Sequence, residues 1–298
     1  MRLSSIVKKI KECYVTIVNL ETHIKTQVKI ERYNSLSLYS KNIGVAEEQY
    51  CDNPVIVSLT SYGKKIQQVH LAIESIMHQT MKPNKIVLCL SDEFKGNLPI
   101  MLQHQQERGL EILFCKDVRS YTKLIPTLCK YPQSVIITID DDIIYPIDFV
   151  EYLVKAYLNN PQKVYFYYGH TIRLDAEKAP IPYKEWKLKR AVGSSLFNLP
   201  TGVNGVLYPP KCFHEDVCKE ELFMELCPYA DDLWFKAMTL LKGVECEQVE
   251  RVEDVKRDFV HLDAADRYAL STINNDKNMN DVQFAKLYKK YNLGEFLR

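Results

Sequence analysis

Glycine is scarce in this chain, ten in 298 residues, about half the ~7% usual for soluble proteins. Glycine-rich repeats, collagen-like segments and low-complexity linkers are therefore excluded. The nine cysteines contain no C-x-x-C pair, their number is odd, and no N-x-[ST] sequon occurs. Reduced thiols in a cytosolic protein are the expectation. No apolar run approaches the ~18 residues of a membrane span, and Lys8, Lys9 and Lys11 stand where a signal peptide needs its apolar stretch. Neither sign of charge dominates: 39 Lys and Arg against 38 Asp and Glu leave a net charge of +1, which excludes a histone-like nucleic-acid binder and an acidic disordered tail. What remains is a length that suits one large α/β domain or two small ones.

Leu3, Ile6, Val7, Ile10 and Tyr14 recur at helical spacing with the lysines opposite, predicting a short basic amphipathic helix over 1–14. Its apolar stripe suits packing on the domain or on a second subunit as a homodimer, or burial in an anionic membrane surface. Ile24, Thr26, Val28 and Ile30 alternate with Lys25, Gln27, Lys29 and Glu31, which predicts a strand exposed on one face. Residues 1–52 thus read as an N-terminal extension. The main domain, 53–270, opens with an apolar strand, Pro54 to Leu59, a turn at Ser61-Tyr62-Gly63, a helix marked by Ile66, Val69, Ile73 and Met77, and a second strand from Lys85 to Leu90. Strand, helix, strand at this spacing is a parallel βαβ unit. A third strand, Leu110 to Cys115, leads to Asp117, a helix covers roughly 122–130, and a fourth strand, Ser134 to Ile139, runs into Asp140, Asp141 and Asp142. The second half has fewer βαβ signals and predicts a mixed sheet built onto the first half. Residues 271–298 read as a basic amphipathic helix whose stripe of Phe284, Leu287, Tyr288 and Tyr291 lies beside Lys286, Lys289 and Lys290. That stripe suits either the core or a membrane.

In an open parallel sheet, the loops at the carboxyl ends of the strands form the ligand crevice. The aspartate triplet falls there. Alternation along an extended chain lets Asp140 and Asp142 point to one side, where hard oxygen ligands suit Mg²⁺ or Mn²⁺. The competing reading is a solvated acidic turn before Pro146. A phosphatase of the D-x-D-x-[TV] type is disfavoured because Ile144 holds the fifth position, and neither a P-loop nor G-x-G-x-x-G is present. Asp231 and Asp232 open a predicted helix; they suit a carboxylate base for a hydroxyl nucleophile, or simple helix capping.

Seven blocks together resemble bacterial GT-A glycosyltransferases of the kind encoded with capsular and lipopolysaccharide loci. They are Ile56 to Tyr62, Leu88 to Asp92, Ser120 to Pro126, Thr138 to Pro146, Gly205 to Pro210, Cys227 to Trp234 and Asn280 to Phe284, spread over roughly 53–290. The resemblance implies an α/β GT-A fold: a Rossmann-like, mostly parallel central sheet flanked by helices, with a smaller mixed sheet on the acceptor side. It implies a nucleotide-sugar donor, a UDP-sugar by base rate, contacted by Thr60, Tyr62, Asp92, Lys123 and Asp141. Gly205, with Gly202, would let backbone approach donor or acceptor. The metal, Mn²⁺ or Mg²⁺, would lie on Asp140 and Asp142, with His261 as a late ligand or else a packed structural histidine. Asp232 would be the base of an inverting transfer, with Asp231 beside it. Trp186 would be a sugar-stacking platform or a packed aromatic.

The expected function is then metal-dependent transfer of a sugar to a saccharide or lipid-linked acceptor in surface polysaccharide synthesis. The expected place is the cytoplasm, peripheral on the inner membrane's cytoplasmic face. The weighed alternatives are a catalytically silent scaffold or regulatory partner of the same fold, and a sugar-phosphate nucleotidyltransferase. The latter should carry a glycine- and arginine-rich loop, whereas Thr60 to Lys65 holds one glycine and no arginine.

Overall fold

The computed structural model describes residues 3–186, 193–249, 259–262 and 278–297. The first half alternates as expected. After helix α1 (Leu3–Tyr39), strand β1 (Val55–Thr60) leads to helix α2 (Val69–Met77), then β2 (Lys85–Ser91), α3 (Ile100–Glu107), β3 (Leu110–Cys115), α4 (Ile125–Lys130) and β4 (Val135–Thr138). Continuous apolar runs such as Val55 to Leu59 and Ile86 to Leu90 are buried throughout, as parallel strands covered on both faces require. The registers of β1 with β2 and with β4, and of β2 with β3, are all parallel.

After β5 (Ile143–Ile144) come α5 (Phe149–Asn159), β6 (Val164–Phe166), β7 (Gly169–Thr171), β8 (Ser194–Ser195), β9 (Asn198–Pro200) and β10 (Val206–Tyr208). Helices α6 (Glu220–Leu226) and α7 (Asp231–Leu241), strands β11 (Cys246–Gln248) and β12 (Val260–His261), and helix α8 (Met279–Tyr291) complete the order. One sheet joins both halves in the order β3-β2-β1-β4-β10-β6-β11-β8. Within it β10 and β8 run against the other strands. Pairs β12 with β5 and β7 with β9 form two small antiparallel sheets. The molecule is therefore an α/β protein with a mostly parallel central sheet, and the second half extends that sheet.

The N-terminal segment departs from expectation. A single helix, α1, spans Leu3–Tyr39 and takes in the stretch expected to be a strand. Burial decides this by its period. Tyr33, Asn34 and Ser37, one helical face, meet α2 and α3, whereas Ile24 and Val28, which a strand would have placed on one buried side, are 53% and 61% exposed. Ser37 Oγ donates to the Glu74 carboxylate at 3.2 Å, and His70 Nε2 lies 2.9 Å from Asn34 Oδ1. Under this face, Glu74 takes a bidentate ion pair from Arg108 at 2.8 and 3.0 Å, both side chains being buried.

The C-terminal stripe belongs to the core. Phe284 and Leu287 of α8 are buried, and Phe284 packs edge-on against Trp186 at 4.7 Å between ring centroids. Trp186 is itself 1% exposed, with Nε1 donating to the Ile181 carbonyl. It is a packed aromatic, not a sugar platform, because its faces are covered by protein. The boundary expected at 270 and 271 lies outside the described residues.

Candidate active site

Connections from β1 pass to β2 on one side, while β4 lies on its other side. That divergence opens a crevice at the carboxyl ends of β1 and β4. Ser61, Tyr62 and Lys65 follow β1, and Asp140, Asp141 and Asp142 follow β4. Tyr145 holds the acidic turn from below, its hydroxyl oxygen accepting the Asp140 backbone N–H at 2.8 Å.

Lys123 is the hub. It lies at the end of a 3₁₀ turn before α4, and Ser58 of β1 fixes that turn by donating to the Lys123 carbonyl at 2.7 Å. The buried ammonium sits 3.3 Å from Asp140 Oδ1 and 3.1 Å from Asp231 Oδ2. The second of these is a close ion pair, not an aligned hydrogen bond. Asp231 arrives from the start of α7, and the Tyr121 hydroxyl ties the Lys123 turn to the preceding segment by donating to the Cys227 carbonyl. Burial would strip the Lys123 proton, but Asp140, Asp231 and Asp232 outweigh it and hold the ammonium well above the ordinary lysine range.

Ala230, and neither aspartate, occupies the cap of α7. Asp232 instead accepts the Gly202 backbone N–H at 3.0 Å. Burial first, and the neighbouring Asp231 second, push its carboxyl up to about 7 against the pull of Lys123 and the Gly202 N–H. A carboxylate poised near neutrality is what a general base requires. Gly202 is what lets these groups meet: a β-carbon there would lie 2.7 Å from Lys123 Nζ and 3.2 Å from Asp232 Oδ1. Gly205 faces elsewhere. Its φ is +92°, and a β-carbon would meet the Phe149 ring at 2.5 Å.

The triplet is divided between two lysines. Asp140 goes to Lys123, while Asp142 Oδ2 accepts from Lys65 Nζ at 3.1 Å. Asp141 accepts from Ser61 Oγ at 2.5 Å and lies 4.0 Å from Lys65. Burial raises Asp141 to about 6, opposed by Ser61 and Lys65, and burial likewise raises Asp140 against Lys123. His261 reaches the same edge through β12: the Leu262 N–H donates to the Asp142 carbonyl at 2.8 Å. Its Nδ1 is buried with no hydrogen-bond partner among the described residues. Carboxylates and imidazole are donor types that Mn²⁺ or Mg²⁺ accepts, and the orphaned nitrogen is one such donor. Among the described residues, however, no three acidic, histidine or cysteine side chains converge on one point.

The other expected nucleotide contacts lie farther out along the strand ends. Thr60 Oγ1 donates to the Cys89 carbonyl of β2 at 2.9 Å, Tyr62 is 57% exposed, and Asp92 pairs with Lys95 at 2.8 Å on the surface. Sequence reasoning missed Ser58, Ser61, Lys65 and Tyr145. Their only sequence signal is position: each lies within five residues of a strand's carboxyl end or within β1 itself.

No family model matches the chain, and no curated protein is similar to it. Solved structures are. A mannosyltransferase from Pyrobaculum calidifontis in complex with GDP-mannose and Mn²⁺ is 14% identical over 93% of this chain and 74% of its own, with a TM-score of 0.49. The 4-diphosphocytidyl-2C-methyl-D-erythritol synthase of Anaerococcus prevotii is 9% identical over 76% of this chain and 96% of its own, with a TM-score of 0.45. A CMP:2-keto-3-deoxy-manno-octonic acid synthetase complexed with CTP is 11% identical over 67% and 90%, with a TM-score of 0.38.

Proposed function

We propose that this protein is a metal-dependent GT-A glycosyltransferase that moves a sugar from a nucleotide-sugar donor, a UDP-sugar in the first instance, to a saccharide or lipid-linked acceptor. One observation carries the reading. Asp140 from the end of β4 and Asp231 from the start of α7 meet on the buried ammonium of Lys123, with Asp232 beside them, at the carboxyl ends of parallel strands. A merely structural acidic turn would face solvent, whereas these carboxylates are gathered in a crevice where their repulsion is costly.

Asp140, Asp142 and His261 would hold the divalent ion, whose charge offsets the negative charge growing on the departing diphosphate. Asp232 accepts the proton of the acceptor hydroxyl as that oxygen attacks the sugar, which gives inversion, and Asp231 keeps Lys123 fixed beside it. Asp141, on Ser61, faces the donor side. The setting proposed is surface polysaccharide synthesis at the cytoplasmic face of the inner membrane, with α1 as the attachment.

The test is to mix the full chain with Mn²⁺ and a panel of nucleotide sugars and follow nucleotide release. Turnover that Asp142→Asn abolishes is expected; turnover unchanged by that substitution, or no donor bound at all, sinks the reading. Pyrophosphate release from a nucleoside triphosphate would instead identify a nucleotidyltransferase.

A further inference from the structure

Two thiols from distant parts of the chain meet near the surface. Cys129, in the last turn of α4, and Cys218, which ends the 3₁₀ turn Glu215–Cys218, are 89 positions apart and lie sulfur to sulfur at 3.2 Å. Cys129 is exposed and Cys218 half-buried. A covalent S–S bond of about 2 Å is thus about 1 Å of movement away, at the ends of two short elements. Other described thiols are placed differently. Cys212, Cys227 and Cys246 are buried, and Cys89, which interacts with Cys115 of the neighbouring strand, is fully buried under Thr127. Hydrogen bonding between the surface pair brings Cys129 down to about 7 against the effect of burial, and raises Cys218. The thiol open to solvent is therefore the one that ionises, and a thiolate is the nucleophile in disulfide exchange.

The two elements also carry the candidate site. Helix α4 continues the turn that holds Lys123, and its Thr127 shares a 2.7 Å hydroxyl hydrogen bond with Ser58 of β1. The Glu215–Cys218 turn is fastened to α7: Trp234 Nε1 donates to the Val217 carbonyl and the His214 N–H to the Met238 carbonyl, both at 3.0 Å. Lys123 already reaches Asp231 of α7 as an ion pair. The thiol pair is a second connection between the same parts.

We infer that Cys129 and Cys218 form a reversible modification site, a dithiol that a small disulfide of the glutathione type oxidises to a disulfide, stapling α4 to the turn that supports α7. The Cys129 thiolate attacks one sulfur of the small disulfide, which forms a mixed disulfide and expels one small thiolate. The Cys218 sulfur then attacks the Cys129 sulfur, gives its proton to solvent and expels the second small thiolate. The protein loses two hydrogens and two electrons, and the small disulfide is reduced to two thiols. In a reducing compartment the pair stays open and closes only as the oxidant accumulates. Once closed, it ties together residues 89 positions apart, which restricts the unfolded chain and stabilises the folded one. The inference needs neither the metal nor the reaction proposed above.

To test this, the full native chain is incubated with excess oxidised glutathione, alkylated, and digested with trypsin without reductant. Mass spectrometry should find peptide 124–130 joined to peptide 212–219, with fragmentation placing the bond on Cys218 and not on the buried Cys212. Dithiothreitol should release both peptides. Cys218→Ser should stop at one glutathione on Cys129, whereas Cys129→Ser should leave Cys218 largely unmodified, a difference that closeness of the two thiols alone does not produce. The oxidised chain should melt several degrees above the reduced one, and the difference should vanish in either variant. No link in the folded protein, a link formed only in urea, or oxidation of Cys89 with Cys115 instead overturns the inference. Glutathione on Cys218 in preference to Cys129 overturns the order of attack, and equal melting of oxidised and reduced chains overturns the staple.

Discussion

Asp232 shows how surroundings set what a single carboxylate can do. Read along the chain it is one of two acids at a helix start, indistinguishable from a cap. In the fold its carboxyl turns from the helix to the Gly202 N–H, and burial beside Asp231 pushes it up to about 7. For a base that works deprotonated, the sign follows: kcat/KM should rise with pH through about 7 and level off above it. Asp232→Asn should lower kcat by about 10²- to 10⁴-fold, the usual worth of a general base, while a calorimetric titration shows donor binding nearly intact. A rate that falls on raising pH across this window, or full activity in Asp232→Asn, removes Asp232 from the mechanism. The neighbouring glycines teach the same lesson. Both were legible as places lacking a side chain, but only the packing shows that Gly205 clears Phe149 while Gly202 clears Lys123 and Asp232.

At the scale of elements, α1 is the clearest case. The alternation over 24–31 predicts a strand, and the structure makes it helix because of what the segment packs against. The helix packs on α2 and α3, where its own Ser37 joins Gln105 around the buried Glu74–Arg108 pair. Burial would raise Glu74, yet His78, Arg108 and Gln105 more than compensate and bring it down to about 2. Arg108 also donates to the carbonyls of Leu36 and Asn42, so it fastens the end of α1 to the domain. Glu74→Ala should therefore destabilise by about 3–5 kcal/mol, because it strands a buried guanidinium. Urea unfolding checks the value. Combining Glu74→Leu with Arg108→Met should recover most of it, and a loss below about 1 kcal/mol in the single variant refutes the role.

For the whole molecule, no helix among the described residues is long and apolar enough to cross a membrane, so the lipid-linked acceptor proposed above would have to be met by surface attachment. Of the two basic amphipathic ends, α8 is committed to the core through Phe284 and Leu287, whereas α1 leaves Leu20, Ile24 and Val28 more than half exposed. Attachment, if lipid-directed, belongs to α1. Replacing Leu20, Ile24 and Val28 together by Ser should reduce flotation with vesicles rich in anionic lipid several-fold while leaving nucleotide binding unchanged. Wild-type protein that does not float on such vesicles at low salt removes the membrane from the proposal.

Local pattern alone determined where β1, β2, β3 and β4 lie along the chain, the parallel unit that β1 and β2 form, the apolar runs that bury on both faces, and the strand-end position of Asp140, Asp141 and Asp142, because alternating strand and helix periods and chain polarity are properties of neighbouring residues. Tertiary structure decided the rest: that α1 is one helix, that Trp186 and the α8 stripe are core, that Asp140 and Asp142 part toward different lysines, and that Ser58, Ser61, Lys65 and Gly202 join the crevice. Those outcomes depend on which distant surfaces meet and on how buried charges find partners, and a carboxylate cannot show in the sequence which ammonium, tens of residues away, will neutralise it.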